Sequence, residues 1–177
     1  MDYINRLLTY TLNDIRNVMM FLPAGMITFL GIGLFWLTVL RHKAGYNNWK
    51  KFLTIPLTIS YLVILLFITL LSRESGGRGD LILQPFVSLG HGARRDAYVL
   101  ENILLFVPLG MLLPLAGHTW RHFLSCAGTG MLLSIFVETS QFFLKLGYAQ
   151  TDDVLANTLG TIIGFWIYLF FRSLKRR

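Results

Sequence analysis

The residues best suited to chemistry lie in the last third of the chain, inside segments that are otherwise strongly apolar. Glu138 and Gln141 occur in "SIFVETSQFF", and Asp152, Asp153 and Asn157 follow in "TDDVLAN". Ionisable side chains within apolar spans are costly and rare, and they usually face a protein interior or a water-filled cavity. These residues are therefore the first candidates for a binding or catalytic site.

Several roles fit these residue types. Glu138 and Asp153 could act as a general acid and base, because a buried carboxyl and a better hydrated one can divide these tasks. Carboxylates and the Asn157 amide could instead bind a ligand or a hard cation, although no histidine or cysteine pattern has metal-ligand spacing, and we predict no metal and no cofactor. In structural roles, Glu138 and Gln141 would join helices, while Asp152 and Asp153 would cap one. Whether the protein is an enzyme stays open.

The composition excludes an ordinary soluble domain. Of the 177 residues, 54% are hydrophobic and 14% are charged, and the mean hydropathy is +0.58, whereas soluble domains carry about 25% charged residues. The net charge of +7 fits cytoplasmic loops and anionic lipid headgroups, so we expect membrane lipids and no nucleic acid as partners. With one cysteine, no intramolecular disulfide can form.

Five apolar segments have the length of about 20 residues that a bilayer requires. They run over residues 18–40, 52–71, 98–115, 123–143 and 154–171. Before them, apolar residues recur at helical spacing among polar ones, which predicts an amphipathic helix on the membrane surface. The fold class predicted is therefore all-α, a polytopic membrane helical bundle.

We divide the chain into four parts. Residues 1–17 form the amphipathic segment, 18–71 two N-terminal transmembrane helices, 72–171 a core with three transmembrane helices, and 172–177 a basic cytoplasmic tail. The core opens with a glycine-containing loop whose "LILQPFVSL" centre is expected to dip into the membrane interface.

The charge distribution predicts the orientation. Residues 41–51, 117–122 and 172–177 hold nine Lys and Arg and no acid, against seven basic residues on the other side. Positive charge favours the cytoplasmic side. We therefore expect a multi-pass protein of the bacterial cytoplasmic membrane with its N-terminus outside and its C-terminus in the cytoplasm.

Small and polar residues share faces on the last two predicted helices, because side chains three or four apart lie on one side of a helix. One face of the fourth helix carries Gly130, Ser134, Glu138 and Gln141, and one face of the fifth carries Asp153, Asn157, Gly160 and Gly164. Small residues let backbones approach closely, so we predict a tight hairpin with polar residues at its outer end. The Gly160 and Gly164 pair could instead serve a homodimer.

The third predicted helix brings a further polar end to this cluster. Asn102 and Glu101 lie at its outer end, and Phe106, Gly110 and Pro114 follow Asn102 at steps of four. Pro108 and Pro114 interrupt its apolar run, which membrane helices tolerate. In the preceding loop, Arg94 and Arg95 are either solvated charges or ligands of an anionic headgroup or phosphate, and His91 could act as a base.

Taken in order, these elements resemble the VanZ-like family of bacterial membrane proteins. The family pattern is an Asn-led segment ending in Phe-x-Pro-x-Gly, then Glu-x-x-Gln, an acidic pair and Asn-x-x-Gly. The matching residues are Asn102, Phe106, Pro108, Gly110, Glu138, Gln141, Asp152, Asp153, Asn157 and Gly160. The resemblance covers about residues 81 to 170 and leaves the first helix outside it. Many members carry an Arg where this chain has Tyr148, so a basic partner would have to come from Arg94, Arg95 or Arg73.

The resemblance implies lowered susceptibility to lipophilic glycopeptide antibiotics of the teicoplanin type. Such a protein would act through an outer-leaflet polar site on a lipoglycopeptide antibiotic or on a lipid-linked peptidoglycan precursor. Two alternatives remain: an intramembrane enzyme that uses Glu138 and Asp153, and a flippase, for which five helices without visible inverted repeats would need a dimer.

Overall fold

The computed structural model describes residues 2–20, 22–35, 49–71, 81–88, 90–146 and 148–175, which are mostly helical. The helices are α1 (Tyr3–Met19), α2 (Leu22–Phe35), α3 (Trp49–Leu66), α4 (Ala93–Ala116), α5 (Phe123–Leu144) and α6 (Thr151–Leu174). A π-helical turn, Phe67–Leu71, continues α3, and a 3₁₀ turn, Thr119–Arg121, precedes α5. Strands β1 (Leu81–Ile82) and β2 (Ala149–Gln150) pair in parallel.

Four helical stretches in this part of the chain are long and apolar enough to cross a bilayer: Leu53–Leu70, α4, α5 and α6. At 1.5 Å per residue, a stretch of 18 to 24 residues is about 27–36 Å long, which matches an apolar core about 30 Å thick. The predicted all-α membrane bundle is confirmed. The first predicted span corresponds to the shorter apolar helix α2, and residues 36–40 of that span lie outside the described residues.

The boundary between α1 and α2 differs from the prediction. The first span was expected to begin at Val18, but α1 continues to Met19, and α2 begins at Leu22. Pro23 accounts for the new start, because proline lacks an N–H and fits the first turn of a helix. The amphipathic segment is therefore longer than the sequence pattern indicated.

Helix α1 has three distinct faces. One packs against α4 and buries Thr11. A second, apolar and exposed, consists of Ile4, Leu8, Leu12 and Ile15, and a third, polar and exposed, consists of Asn5, Thr9, Asn13 and Arg16. An apolar stripe beside a polar one is typical of a helix in the membrane interface. The amphipathic helix is thus present, and its place on the membrane surface stays a prediction.

Helices α4 and α6 approach closely through glycines. A side-chain carbon at Gly160 would collide with the Ile103 carbonyl, and one at Gly164 would collide with the Val107 carbonyl. Because the contacts advance along both helices in the same direction, α4 and α6 run parallel. We predicted that this glycine pair packs against α5, and this prediction was wrong. Sequence spacing places residues on one face of a helix but does not say which helix that face meets.

Helix α5 packs beside α6 by a different contact. Gly130 lies against the Thr161 side chain, so its missing side chain leaves room for that threonine. Asn157 of α6 also donates a hydrogen bond to Ser134 of α5, at 2.8 Å. The predicted adjacency of these two helices is therefore present, although the glycine pair does not form it.

The two prolines of α4 do not end the helix, which is continuous to Ala116. Since Pro114 has no N–H, the Gly110 carbonyl loses its usual helical donor. The Cys126 thiol of α5 lies 3.7 Å from that carbonyl oxygen and donates to it. The only cysteine of the chain therefore compensates for a proline in the neighbouring helix.

A buried apolar cluster fills the bundle centre. It consists of Leu65, Phe106, Leu109, Leu113, Cys126, Val137 and Phe165. Many large apolar side chains are exposed on the outward faces, among them Leu132, Phe136 and Trp166. Such an apolar exterior fits contact with lipid rather than with water.

Candidate functional site

The predicted polar residues gather at one end of the bundle, where α5 ends and α4 and α6 begin. Glu138, Gln141, Asp152, Asp153 and Asn157 are all buried. Buried polar groups are costly unless they are hydrogen-bonded. The partners of these residues therefore show what the cluster does in the fold.

Glu138 joins α5 to the start of α6. Its Oε2 accepts a hydrogen bond from the Gln150 backbone N–H at 3.0 Å. Gln150 is the residue from which α6 starts, and the first turn contains Asp152 and Asp153. Negative charge near a helix N-terminus is favourable by about 0.3–1 kcal/mol for each group, so the α6 N-terminus helps to accommodate these carboxylates.

Asp153 joins α6 to α4. Its Oδ1 accepts a hydrogen bond from Asn102 Nδ2 at 2.8 Å. This bond lies near the close contact between Gly160 and Ile103. Asn102, which we predicted to join the polar cluster from the end of the third span, thus forms part of the interface between the two parallel helices.

Asp152 has a role that the sequence did not indicate. Its Oδ1 accepts the Phe86 N–H at 2.5 Å, and its Oδ2 accepts the Ser88 N–H at 2.7 Å. The hydroxyl of Thr151 donates to the Leu83 carbonyl at 3.1 Å, and the hydroxyl of Ser88 donates to Gln150 Oε1 at 2.8 Å. Together with the β1–β2 pair, these bonds fasten residues 81–88, which we call the apolar loop, to the start of α6.

The apolar loop presents large side chains outward. Leu83 is 69% exposed and Phe86 is 64% exposed. Phe86 has a φ of 64°, a conformation that non-glycine residues rarely adopt. Such strain persists only where surrounding contacts enforce it, and the Asp152 carboxylate supplies two of those contacts.

Gln141 and Asn157 complete the cluster in deeper positions. Gln141 Nε2 donates to the Thr69 carbonyl at 2.9 Å, which ties α5 to the π-helical turn after α3. π-helical turns occur often at functional sites. Asn157 donates to Ser134, while its own Oδ1 is buried and has no hydrogen-bond partner among the described residues. The sequence offered no signal for Thr69, because its contribution is a backbone carbonyl.

The remaining candidates lie on another side of α4. Arg94, Tyr98 and Glu101 follow one face of that helix, and Arg94 lies 3.4 Å from Asp14 of α1. The Arg94 guanidinium also stacks over the rings of Tyr10 and Tyr98, at 5.1 and 4.7 Å. Arg94 therefore anchors α1, whereas Arg95 and His91 are exposed. Arg73 lies outside the described residues.

A second contact fixes the start of α1. Tyr3 donates a hydrogen bond to Asp96, and this bond raises the pKa of Tyr3 above its ordinary value. Asp96 also accepts the Gly90 N–H at 2.7 Å.

Within the described ranges, no three His, Cys, Asp or Glu side chains are grouped so as to hold a metal ion.

The fold and the site define an α-helical, multi-pass membrane protein with a hydrogen-bonded polar cluster at one end of its bundle. Residues 27–172 match the VanZ/LLP1 family, and the chain belongs to this family. The chain is also 29% identical to Protein VanZ of Enterococcus faecium over 125 residues, which are 67% of this chain and 74% of that protein. No solved structure matches significantly.

The family assignment drawn from the sequence is therefore confirmed, with one correction. The match begins at residue 27, inside α2, and not near residue 81. The earlier limit was wrong because the polar motif residues occur only in the second half of the chain. Apolar spans carry little family-specific information in their residue types.

Proposed function

We propose that this protein lowers bacterial susceptibility to lipophilic glycopeptide antibiotics of the teicoplanin type. The family membership supports this function. The observation that carries the mechanism is the attachment of the exposed apolar loop to the buried carboxylate of Asp152. We place this end of the bundle in the outer leaflet, where a lipophilic drug or a lipid-linked envelope precursor inserts its tail.

In this mechanism Asp152 holds the loop, Glu138 and Asp153 hold the start of α6, and none of the three carboxylates binds the cationic groups of a drug. Glu138, Asp152 and Asp153 are 7%, 6% and 8% exposed, and each accepts a hydrogen bond from the protein itself. Removing such groups from the fold to meet a soluble cation would leave buried donors unpaired. The exposed side chains of Leu83 and Phe86 are instead the groups that meet the tail.

The test is teicoplanin susceptibility of a sensitive Gram-positive host at matched membrane abundance of each variant. Wild type is expected to protect, while Phe86→Ser and Asp152→Asn are expected to return the host to the empty-vector level. Phe143→Ser is the matched control, because Phe143 is 75% exposed on α5 and lies outside the loop. If Phe86→Ser protects the host as well as Phe143→Ser does, the loop is not the contact surface. Failure of wild type to protect would reject the function itself.

A second candidate is an intramembrane enzyme acting on a lipid-linked precursor. Its support is the pair of buried carboxyls, Glu138 and Asp153, on neighbouring helices. The same assay separates the two ideas. A glutamine at position 138 can still accept the Gln150 N–H. If Glu138 only positions the start of α6, Glu138→Gln should therefore retain protection. If Glu138 and Asp153 act as acid and base, Glu138→Gln and Asp153→Asn should each abolish protection. Flux of a labelled lipid in proteoliposomes would instead indicate a flippase.

A further inference from the structure

A basic cleft lies where α1 meets the first turn of α4, away from the polar cluster. It has a volume of about 380 Å³, and its side chains include Arg6, Tyr10, His91, Arg94 and Arg95. Among the described residues, none of those that line it is acidic. The volume is at the lower end of the range for small-molecule sites, about 300–1,000 Å³, so the cleft is large enough for a headgroup-sized anion.

The backbone adds to the positive character of the cleft. Gly92 and Ala93, at the start of α4, line it, and Gly92 provides no side-chain cap to the helix. The N-terminus of a helix carries positive partial charge and backbone N–H groups suited to phosphate oxygens. Gly92 has a φ of 123°, which favours glycine and keeps a side chain out of this position.

The two nearby acids already have partners within the protein, and the partner of Asp14 is the Arg94 guanidinium in the wall of the cleft. Asp14 lies 3.4 Å from the Arg94 guanidinium, and Asp96 accepts hydrogen bonds from Gly90 and Tyr3. The Arg94 guanidinium also lies over the rings of Tyr10 and Tyr98, which fixes its position in the wall of the cleft. Arginine is suited to such a site, because its planar fork of donors matches the oxygens of a phosphate group.

The predicted interfacial position of α1 would place the cleft at the depth of the lipid headgroups. It is at the end of the 24-residue apolar helix α4, beside α1 with its exposed apolar and polar stripes. An interfacial helix lies at the boundary between headgroups and acyl chains. From this geometry we infer that the cleft is a binding site for a phosphate group, carried by a lipid headgroup or free in solution. The site does not depend on the function proposed above.

The experiment uses the full-length protein in phosphatidylcholine nanodiscs, with two probes. One is phosphatidic acid incorporated in the nanodisc, and the other is inorganic pyrophosphate added in solution. Saturable binding of phosphatidic acid alone would assign the site to a lipid phosphate, and binding of both with mutual competition would assign it to the phosphate group whatever its carrier. Saturable binding of neither probe would overturn the inference.

The variants separate the cleft from general surface charge. The double variant Arg6→Gln/Arg95→Gln should weaken binding at least about tenfold, since charge-assisted hydrogen bonds to phosphate are lost. Arg16→Gln is the matched control, because Arg16 is an exposed arginine on the polar face of the same helix. An equal loss in Arg16→Gln would overturn the site. Arg94 is not substituted, because its loss would also loosen the contact between α1 and α4. An unchanged thermal unfolding temperature shows that the double variant is still folded.

Discussion

Single side chains of the polar cluster act mainly by holding separate parts of the chain together. Asp152 is the clearest example, because both carboxylate oxygens accept backbone N–H groups of the apolar loop. Cys126 has a comparable role inside the bundle, where its thiol meets the carbonyl that Pro114 leaves without a donor. For each of these residues, the effect of a substitution depends on whether the new side chain keeps the same hydrogen-bond donor or acceptor atom.

Replacing Asp152 by Asn is expected to release the apolar loop. Asparagine offers one acceptor oxygen and turns an NH₂ group toward the other backbone N–H, so one charge-assisted hydrogen bond is lost, at about 1.5–3 kcal/mol. Limited proteolysis of the purified protein should then cut within residues 81–88 faster than in wild type. Unchanged cleavage would show that β1–β2 pairing suffices to hold the loop.

Substitution of Cys126 tests the compensation of Pro114. Cys126→Ser keeps a donor for the Gly110 carbonyl, whereas Cys126→Ala removes it and leaves a small void, at a cost of about 1 kcal/mol. Thermal unfolding in detergent should therefore rank wild type and Cys126→Ser above Cys126→Ala. The reverse order would mean that the cysteine only fills space.

At the level of elements, the parallel pair α4 and α6 organises the bundle, and α5 packs beside it. The pair depends on backbone approach, because Gly160 and Gly164 meet carbonyl groups of α4 and leave no room for a side-chain carbon. In membranes, close packing is a main driving force for helix association. The glycines therefore matter more to stability than their size suggests.

Gly164→Ala is expected to separate α4 from α6 and to destabilise the protein by about 1–3 kcal/mol, the typical range for overpacking. Gly128→Ala is the matched control, since a side-chain carbon at Gly128 on α5 would have open space around it among the described residues. Alanine favours a helix over glycine by about 1 kcal/mol, so Gly128→Ala should unfold at or above the wild-type temperature. Similar losses in both variants would contradict the assigned packing.

For the whole molecule, the parallel arrangement of α4 and α6 makes a prediction about sidedness. The ends of both helices, near Thr119 and Ser173, must lie on one side of the membrane, and Lys145 at the end of α5 must lie on the other. The distribution of basic residues predicts that the first side is the cytoplasmic one. The polar cluster and α1 would then face outward.

Cysteine labelling can check this orientation, because Cys126→Ala removes the only cysteine of the chain. In that background, Lys145→Cys should react with a membrane-impermeant maleimide in intact cells. Thr119→Cys and Ser173→Cys should react only after permeabilisation. Labelling in the opposite pattern would invert the topology and remove the basis for an outer-leaflet function.

The sequence predicted the spans and the polar residues better than their partners. Long apolar runs identify membrane helices because the bilayer requires them, and helical spacing placed Asn102, Glu138 and Asp153 at one end. Spacing could not show that Gly164 meets α4, that Asp152 holds a loop more than 60 residues earlier in the chain, or that Gln141 reaches the Thr69 carbonyl. These contacts depend on tertiary arrangement, and all three involve only backbone atoms of the partner.

The contact between α4 and α6 also bears on how the protein is made. Helix α4 enters the membrane before α5 and α6 have left the ribosome, so the surface that will receive Gly160 and Gly164 first faces lipid. The bundle cannot close until α6 has been inserted, two helices later. Biogenesis should therefore pass through a state in which α4 is inserted but the surface that will face α6 has no partner. Chains arrested before Gly164 should be the ones that membrane quality-control proteases remove.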